Sequence, residues 1–219
     1  MSKRTIDEVD EVDEDDRDMV RVDLTHYYDV KTWDRLCGVN ETFLRKGFDQ
    51  TYYHLGPTDP ETEPLLPALI ELNKRGIYTK DGQPGVYVED DIRQRAYIDF
   101  AVENHEIAKR MLAFLETKPF IYFIYEVFGN RKKIVTNIPK EYTRIALTDA
   151  FDEDAKLWMT YTSSRVKWQA HLELSDLKNV DKLLKKAGFF FVCHIEFGVH
   201  ESLEDMLLEF DINNEKKEK

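Results

Sequence analysis

Two groups of side chains in this sequence have the types and spacings that chemistry asks for. In the first, Cys193-His194, Glu196 and His200 offer thiolate, imidazole and carboxylate donors in one short stretch, the ligand types that zinc or iron takes. Strand periodicity puts His194 and Glu196 on one face and Cys193 on the other, so His194, Glu196 and His200 form the candidate metal set. The interleaved Phe189, Phe191, Ile195 and Phe197 also describe an ordinary apolar strand, which is the preferred reading. The second group is Thr79, Gln83, Gly85, Gln94, Arg95 and Asp99. A hydroxyl, two carboxamides, a guanidinium, a carboxylate and a glycine that frees a backbone N–H are the means of holding a small polar or carboxylated ligand. The plainer alternative is a closed turn at Gln83-Pro84-Gly85, with Arg95 paired to a surface acid. Neither Cys37 with His26 nor Cys193 with His54 has a spacing that brings nucleophile and base together. The acidic loop Asp152-Glu153-Asp154 is read as solvated, and Tyr122, Phe123 and Tyr125 as residues of a sheet face.

The elements that position these residues follow from pattern and punctuation. Val20, Val22 and Leu24 alternate as a first strand, Thr32 to Cys37 and Glu41 to Lys46 read as short helices, and Asn40 is placed as the N-cap of the second. Thr62 is the expected cap of a helix over Glu63 to Arg75, with Pro64 and Pro67 in its first turn and Gly76 as its stop. Ile77 to Thr79 is a strand, Asp81-Gly82 a turn, and Gln83-Pro84-Gly85 a second turn. Gln94 to Val102 alternates as a longer strand, and Asn104 caps a helix that ends near Leu115. Phe120 to Phe128 and Lys132 to Ile138 flank Gly129-Asn130 as a hairpin. Arg144 to Leu147 and Lys156 to Thr162 are further strands. Asp176 to Ala187 is a helix stopped by Gly188, Phe189 to Val199 a strand, and Ser202 to Phe210 a last helix. Strands joined by both hairpins and helices imply an α+β fold, with a mixed, largely antiparallel sheet and packed helices.

The run Gly56-Pro57-Thr58-Asp59-Pro60-Glu61-Thr62, followed by Leu66-Pro67, Leu72-Asn73, Gly76, Thr79 and Gln83-Pro84-Gly85, resembles a family of small uncharacterised proteins found in actinobacteria and large DNA viruses. The resemblance covers roughly Gly56 to Val102 and implies no known activity. Gly82 stands where the resemblance leads one to expect a serine, so this position brings no hydroxyl to any chemistry.

Charge is concentrated at one end. Residues 1 to 18 hold nine acidic side chains against Lys3, Arg4 and Arg17, half of the chain's formal net charge of −12. Such a segment has too little apolar surface to offset its ordering entropy, so residues 1–18 are expected to be a disordered acidic tail, 19–212 a single domain, and 213–219 a charged C-terminal tail. An acidic arm suits a basic protein partner and opposes a phosphate backbone, so no direct nucleic-acid partner is assigned. Lys182, Lys185 and Lys186 have the spacing of a solvated helix face. Two distant cysteines support no disulfide framework, a charged start is no secretory signal, and the apolar run Pro119–Phe128 is too short to span a membrane. An intracellular location, cytoplasmic or nuclear, is expected. No GxGxxG or GxxxxGK[ST] run is present, and no cofactor is assigned. The resulting expectation is a non-catalytic intracellular interaction protein, in its sharper form a viral factor acting on host components. The alternative is a protein that binds a small polar ligand, or an enzyme, with its site between Thr79 and Asp99.

Overall fold

Thr32 stands in extended conformation and its hydroxyl accepts the N–H of Arg35, so the first helix starts where an N-cap satisfies one of its orphan donors. In the computed structural model, which describes residues 25–48, 51, 57–88, 92–118, 121–127, 135–136, 148–150, 177–197 and 203–212, that helix, α1, runs unbroken over Trp33–Leu44. The two short helices expected there are one, and Asn40 is an interior, buried residue rather than a cap. Its side chain finds partners on neighbouring elements instead of on its own backbone.

Pro60–Leu65 forms a 3-10 helix before α2, Leu66–Lys74. This corrects the helix expected from Glu63 under a Thr62 cap: with Pro60 and Pro64 lacking amide protons, the tighter coil replaces a regular first α-turn. The Thr62 hydroxyl donates instead to the Gly82 carbonyl, at 3.4 Å. Gly76, at φ 87°, ends α2 in the left-handed conformation that glycine adopts without strain. Its carbonyl accepts the Trp33 indole N–H at 2.7 Å, which ties the start of α1 to the end of α2.

The remaining elements are β1 (Ile77–Gln83), β2 (Val86–Val88), β3 (Ile92–Val102), α3 (His105–Glu116), β4 (Ile121–Val127), β5 (Val135–Thr136), β6 (Thr148–Ala150), α4 (Lys178–Leu184), β7 (Gly188–Phe197) and α5 (Leu203–Leu208). The sheet order is β1-β3-β7-β4-β5, with β2 and β6 both paired to the first residues of β3. Every pairing is antiparallel, and the fold is α+β. β3, α3 and β4 form a crossover whose two strands are held apart by β7, the last strand among the described residues. Asn104 caps α3 as expected, its side-chain oxygen accepting the N–H groups of Glu106 and Ile107. β4 and β5 pair as the expected hairpin would, with Ile124 opposite Thr136. The expected strands at 20–24, 144–147 and 156–162 and the Gly129-Asn130 turn lie outside the described residues.

Alternation divides the sheet into two buried faces. Ala96, Ile98, Phe100 and Val102 of β3, Phe190 and Val192 of β7, and Ile121, Phe123 and Tyr125 of β4 pack against α2, α3 and α5. Phe190 lies opposite both Phe100 and Tyr125 and stacks on each, with ring centroids 5.2 and 4.7 Å apart, so a row of aromatic cross-strand contacts fixes the register. On the other face, Tyr78, Ala101 and Phe189 pack against Trp33, Leu36 and Cys37 of α1 and Val180 and Leu184 of α4. The last turn of α1 contributes Phe43 and Leu44 to the first face, so this helix runs past the β1 edge and serves both cores.

Candidate functional site at the edge of the sheet

β1 is the edge strand, and an open edge is a row of unsatisfied backbone groups. Here the chain covers its own edge with side chains. Asn40 Nδ2 donates to the Thr79 carbonyl at 2.7 Å and lies 3.1 Å from both Thr79 Oγ1 and Asn73 Oδ1. Asn73 Nδ2 donates to the Leu69 carbonyl at 2.8 Å and to Thr79 Oγ1 at 2.7 Å. The three residues are 4%, 2% and 3% exposed in the order Asn40, Asn73, Thr79. They form a buried polar knot joining α1, α2 and β1, and its internal hydrogen bonds offset the desolvation of its members.

Immediately after the knot, β1 bulges: Thr79 pairs with Phe100 and Asp81 with Asp99, leaving Lys80 as the extra residue. The Lys80 ammonium meets the Asp99 carboxylate at 2.5 Å, their side chains 9% and 15% exposed, and sits over the Phe189 ring. Asp81-Gly82, expected as a turn, continues the strand. The Asp81 carboxylate supplies the contacts a turn would have made, accepting the Gly82 N–H at 2.8 Å and the Tyr97 hydroxyl at 3.1 Å. Burial pushes the Tyr97 phenol well above its ordinary range, and the charges of Asp81, Asp99 and Asp59 push it further. Tyr97 is therefore a fixed proton donor at neutral pH, stacked on Phe191 with ring centroids 5.2 Å apart.

Between the end of α1, the segment from Thr58 to Thr62, α2 and this stretch of β1 lies a cleft of about 400 Å³, its open mouth included. Asn40, Thr58, Asp59, Thr62, Thr79, Lys80 and Asp81 give it a polar wall, with Phe43, Leu44 and Leu69 as the apolar part. Its two flanks are linked outside by an ion pair between Lys46 and Glu63, at 2.9 Å. The Lys46 ammonium, through its hydrogen bond and its charge, holds the Glu63 carboxyl below the usual range.

Of the six residues expected to bind a ligand, Thr79 lines this cleft. Gln83 is half-buried at the end of β1, opposite Tyr97, and Gly85 is buried in the two-residue link to β2. Gln94 lies in β3, opposite Val86 of β2 and Thr148 of β6. Arg95 Nη1 donates to the His194 carbonyl at 3.2 Å, and Asp99 holds Lys80. The structure thus gathers Thr79 and Asp99 around the Lys80 bulge and places Gln83, Gly85, Gln94 and Arg95 away from the cleft wall.

Of the candidate metal set, His194 is buried in β7, Glu196 occupies a backbone position in the same strand, and His200 lies outside the described residues. β7 is irregular at this point, passing three residues, His194 to Glu196, while β3 passes Ala96 alone, so two-residue alternation does not assign their faces. Among the described residues no three His, Cys, Asp or Glu side chains gather as a metal site requires, and no helix is long and apolar enough to cross a membrane. Neither Cys37 nor Cys193 forms a disulfide, and both are buried.

Of the polar residues lining the cleft, sequence reasoning did not single out Thr58, Asp59, Lys80 or Asp81 for binding, and it took Asn40 and Thr62 as helix caps. One signal was available. Asn40 falls on the apolar stripe of α1, between Leu36-Cys37 and Phe43-Leu44, and Asn73 lies one turn after Leu69 in α2; an amide on a buried stripe implies a specific partner. Residues 25–139 match the family model described as a domain of unknown function, DUF6919, which covers just over half of the chain. No curated protein matches the sequence.

Proposed function

We propose, for a chain that belongs to the DUF6919 family and takes no activity from that description, that the cleft beside β1 binds a small polar molecule. The observation that carries this reading is a polar wall drawn from three separate parts of the chain and held in place by the Asn40–Asn73–Thr79 knot. A ligand entering it meets Asn40 and Thr79 already held by their hydrogen bonds, a condition that lowers what binding loses to ordering. The centre of the site moves from Gln83 to the Thr79–Gly82 stretch. The test is a thermal-shift screen of the full chain against amino acids, nucleotides, organic acids, amines and divalent metals, with Thr58→Trp run alongside to fill the mouth. A ligand at ~100 times its dissociation constant adds about 2.7 kcal/mol, a shift of several degrees. A stabilisation present in the parent and absent in Thr58→Trp supports the cleft; one that survives the tryptophan moves the site elsewhere.

A second reading rests on the nine acidic side chains among residues 1–18, which favour a non-catalytic interaction protein engaging a basic partner. Among the described residues the exposed large hydrophobic is Tyr28, at 51%, so these residues present no apolar docking face. Affinity capture with the full chain and with a chain lacking residues 1–18, at physiological and at high salt, separates the two: a tail-dependent, salt-sensitive partner supports interaction, and capture indifferent to the tail removes its support.

A further inference from the structure

We infer that the exposed lysine row of α4 is the docking surface for the chain's own acidic segment, residues 7–18, which lies against Lys178, Lys182, Lys185 and Lys186. The inference is independent of the cleft and goes beyond the reading of the tail as an arm for a basic partner, which would have to displace the tail from these lysines. Lys178 and Lys182 stand on α4, and Lys185 and Lys186 in the turn that ends it. Their spacing puts all four on one side of the helix, with Asp181 at its flank. All four are exposed, while Val180 and Leu184 are buried on the other side. Elsewhere among the described residues a lysine is answered by a carboxylate: Lys46, Lys74, Lys80, Lys109 and Lys118 each sit in an ion pair. Among the described residues the four lysines of the row pair with none, and neither does Lys31, next to Val30 of the buried cluster that α4 completes. The helix dipole favours cations at the end of α4 and opposes Lys178 in its first turn, so helix stability does not explain the row.

The chain delivers the complementary charge to this place. All nine acidic side chains of the N-terminal segment fall between Asp7 and Asp18, with Arg17 as the cation among them. The described chain starts at Thr25, and Tyr27 and Val30 pack into the same buried cluster as Leu177, Val180 and Leu184. The N-terminal segment therefore enters on the face of the sheet that α4 covers. Residues 19–24 separate Asp18 from Thr25; this stretch reaches at most about 25 Å, and the lysine row is about 12 Å long. Exposed ion pairs are individually weak, and a contact with a dissociation constant of about 1 mM does not hold two separate chains together at micromolar concentration. Over a short tether the effective concentration is itself of millimolar order, so the same contact is occupied within one chain.

The experiment is paramagnetic relaxation enhancement on the full chain carrying a nitroxide at Val12→Cys, Cys37 and Cys193 being buried away from the label. In about 0.01 M sodium chloride the amide signals of α4 are expected to lose intensity relative to those of α3, which packs on the other face of the sheet. They should recover in about 1 M, as the screening length falls from about 30 to about 3 Å. They should recover equally when the tail is neutralised by Asp13→Asn, Glu14→Gln, Asp15→Asn and Asp16→Asn, or the row by Lys182→Gln, Lys185→Gln and Lys186→Gln. The tail substitutions leave α4 untouched, so their result decides the matter even if the lysine variant fails to fold. Equal broadening of α4 and α3, or broadening of α4 that survives high salt or the neutral tail, overturns the inference. Broadening that fades on dilution of the protein overturns it in favour of the lysine row of a second copy.

Discussion

Asn40 does two things at once: its nitrogen closes the edge of a strand, and its side chain ties that strand to α2 through Asn73. Replacing it with alanine strips the Thr79 carbonyl of its donor in a buried setting, and Asn40→Ala is expected to lower stability by about 2–3 kcal/mol. Urea unfolding reads this as a lower midpoint at unchanged slope; an unchanged midpoint removes the knot from any structural role. A second prediction concerns alkaline pH. Burial, then the charges of Asp34 and Glu103, push the Cys37 thiol far up, and Tyr97 is raised as described. Both groups hold their proton more tightly when folded than when unfolded. Their contribution is therefore complete below the ordinary thiol and phenol pKa values and falls as pH rises above them, by about 1.4 kcal/mol per pH unit for each group. Tyr97→Phe should flatten part of that alkaline loss in denaturation curves taken above pH ~10, whereas an identical slope in the variant contradicts the assignment. At this scale the sequence was only partly legible. Thr79 and Asp99 could be picked by type and neighbourhood, but the partners of Lys80 and Asp81 depend on a bulge that local pattern does not encode.

At the scale of elements, punctuation was legible and continuity was not. Gly76 as a helix stop and Asn104 as a cap follow from local chemistry alone, and Asn104→Ala is expected to cost about 1 kcal/mol, read by thermal unfolding. The merging of two expected helices into α1 was hidden because Asn40 has the local preferences of a cap, while its long-range partners make it a core residue. Asp81-Gly82 misled in the same way, a turn dipeptide carried through a strand by the contacts of its own carboxylate. The packing of α3 on β7 has a sharper test. A Cβ at Gly188 would lie 2.5 Å from the Ala108 Cβ and 3.1 Å from the Tyr125 ring, so Gly188→Ala forces helix and strand apart and is expected to destabilise by about 1–3 kcal/mol. Ala108→Gly in the same chain should restore part of the loss, and no rescue argues against this contact as the cause.

For the whole molecule, the α+β class was readable from the mixture of hairpin and helical connections, but the strand order was not, since pairing partners far apart in sequence leave no mark on local pattern. The position of β7 is the main case. The family match ends at residue 139, yet the strand lying between β3 and β4 spans Gly188–Phe197. A fragment of residues 25–139 therefore lacks the centre of its sheet, and it is expected to show neither cooperative unfolding nor the amide dispersion of the full chain; a well-dispersed spectrum from that fragment would refute the arrangement. α5 and the residues after it are likewise tied back, with the Leu208 carbonyl accepting from Arg75 and the Asp211 and Ile212 carbonyls accepting from Arg110. The placement of β7 also sets an order of events at the ribosome. While residues 25 to 187 are emerging, the facing edges of β3 and β4 have no strand to separate and satisfy them, and the aromatic row from Phe100 to Tyr125 lacks its middle ring. The nascent chain must carry this unfinished sheet until Gly188–Phe197 has been made, and over that interval it is most exposed to mispairing and most dependent on chaperones.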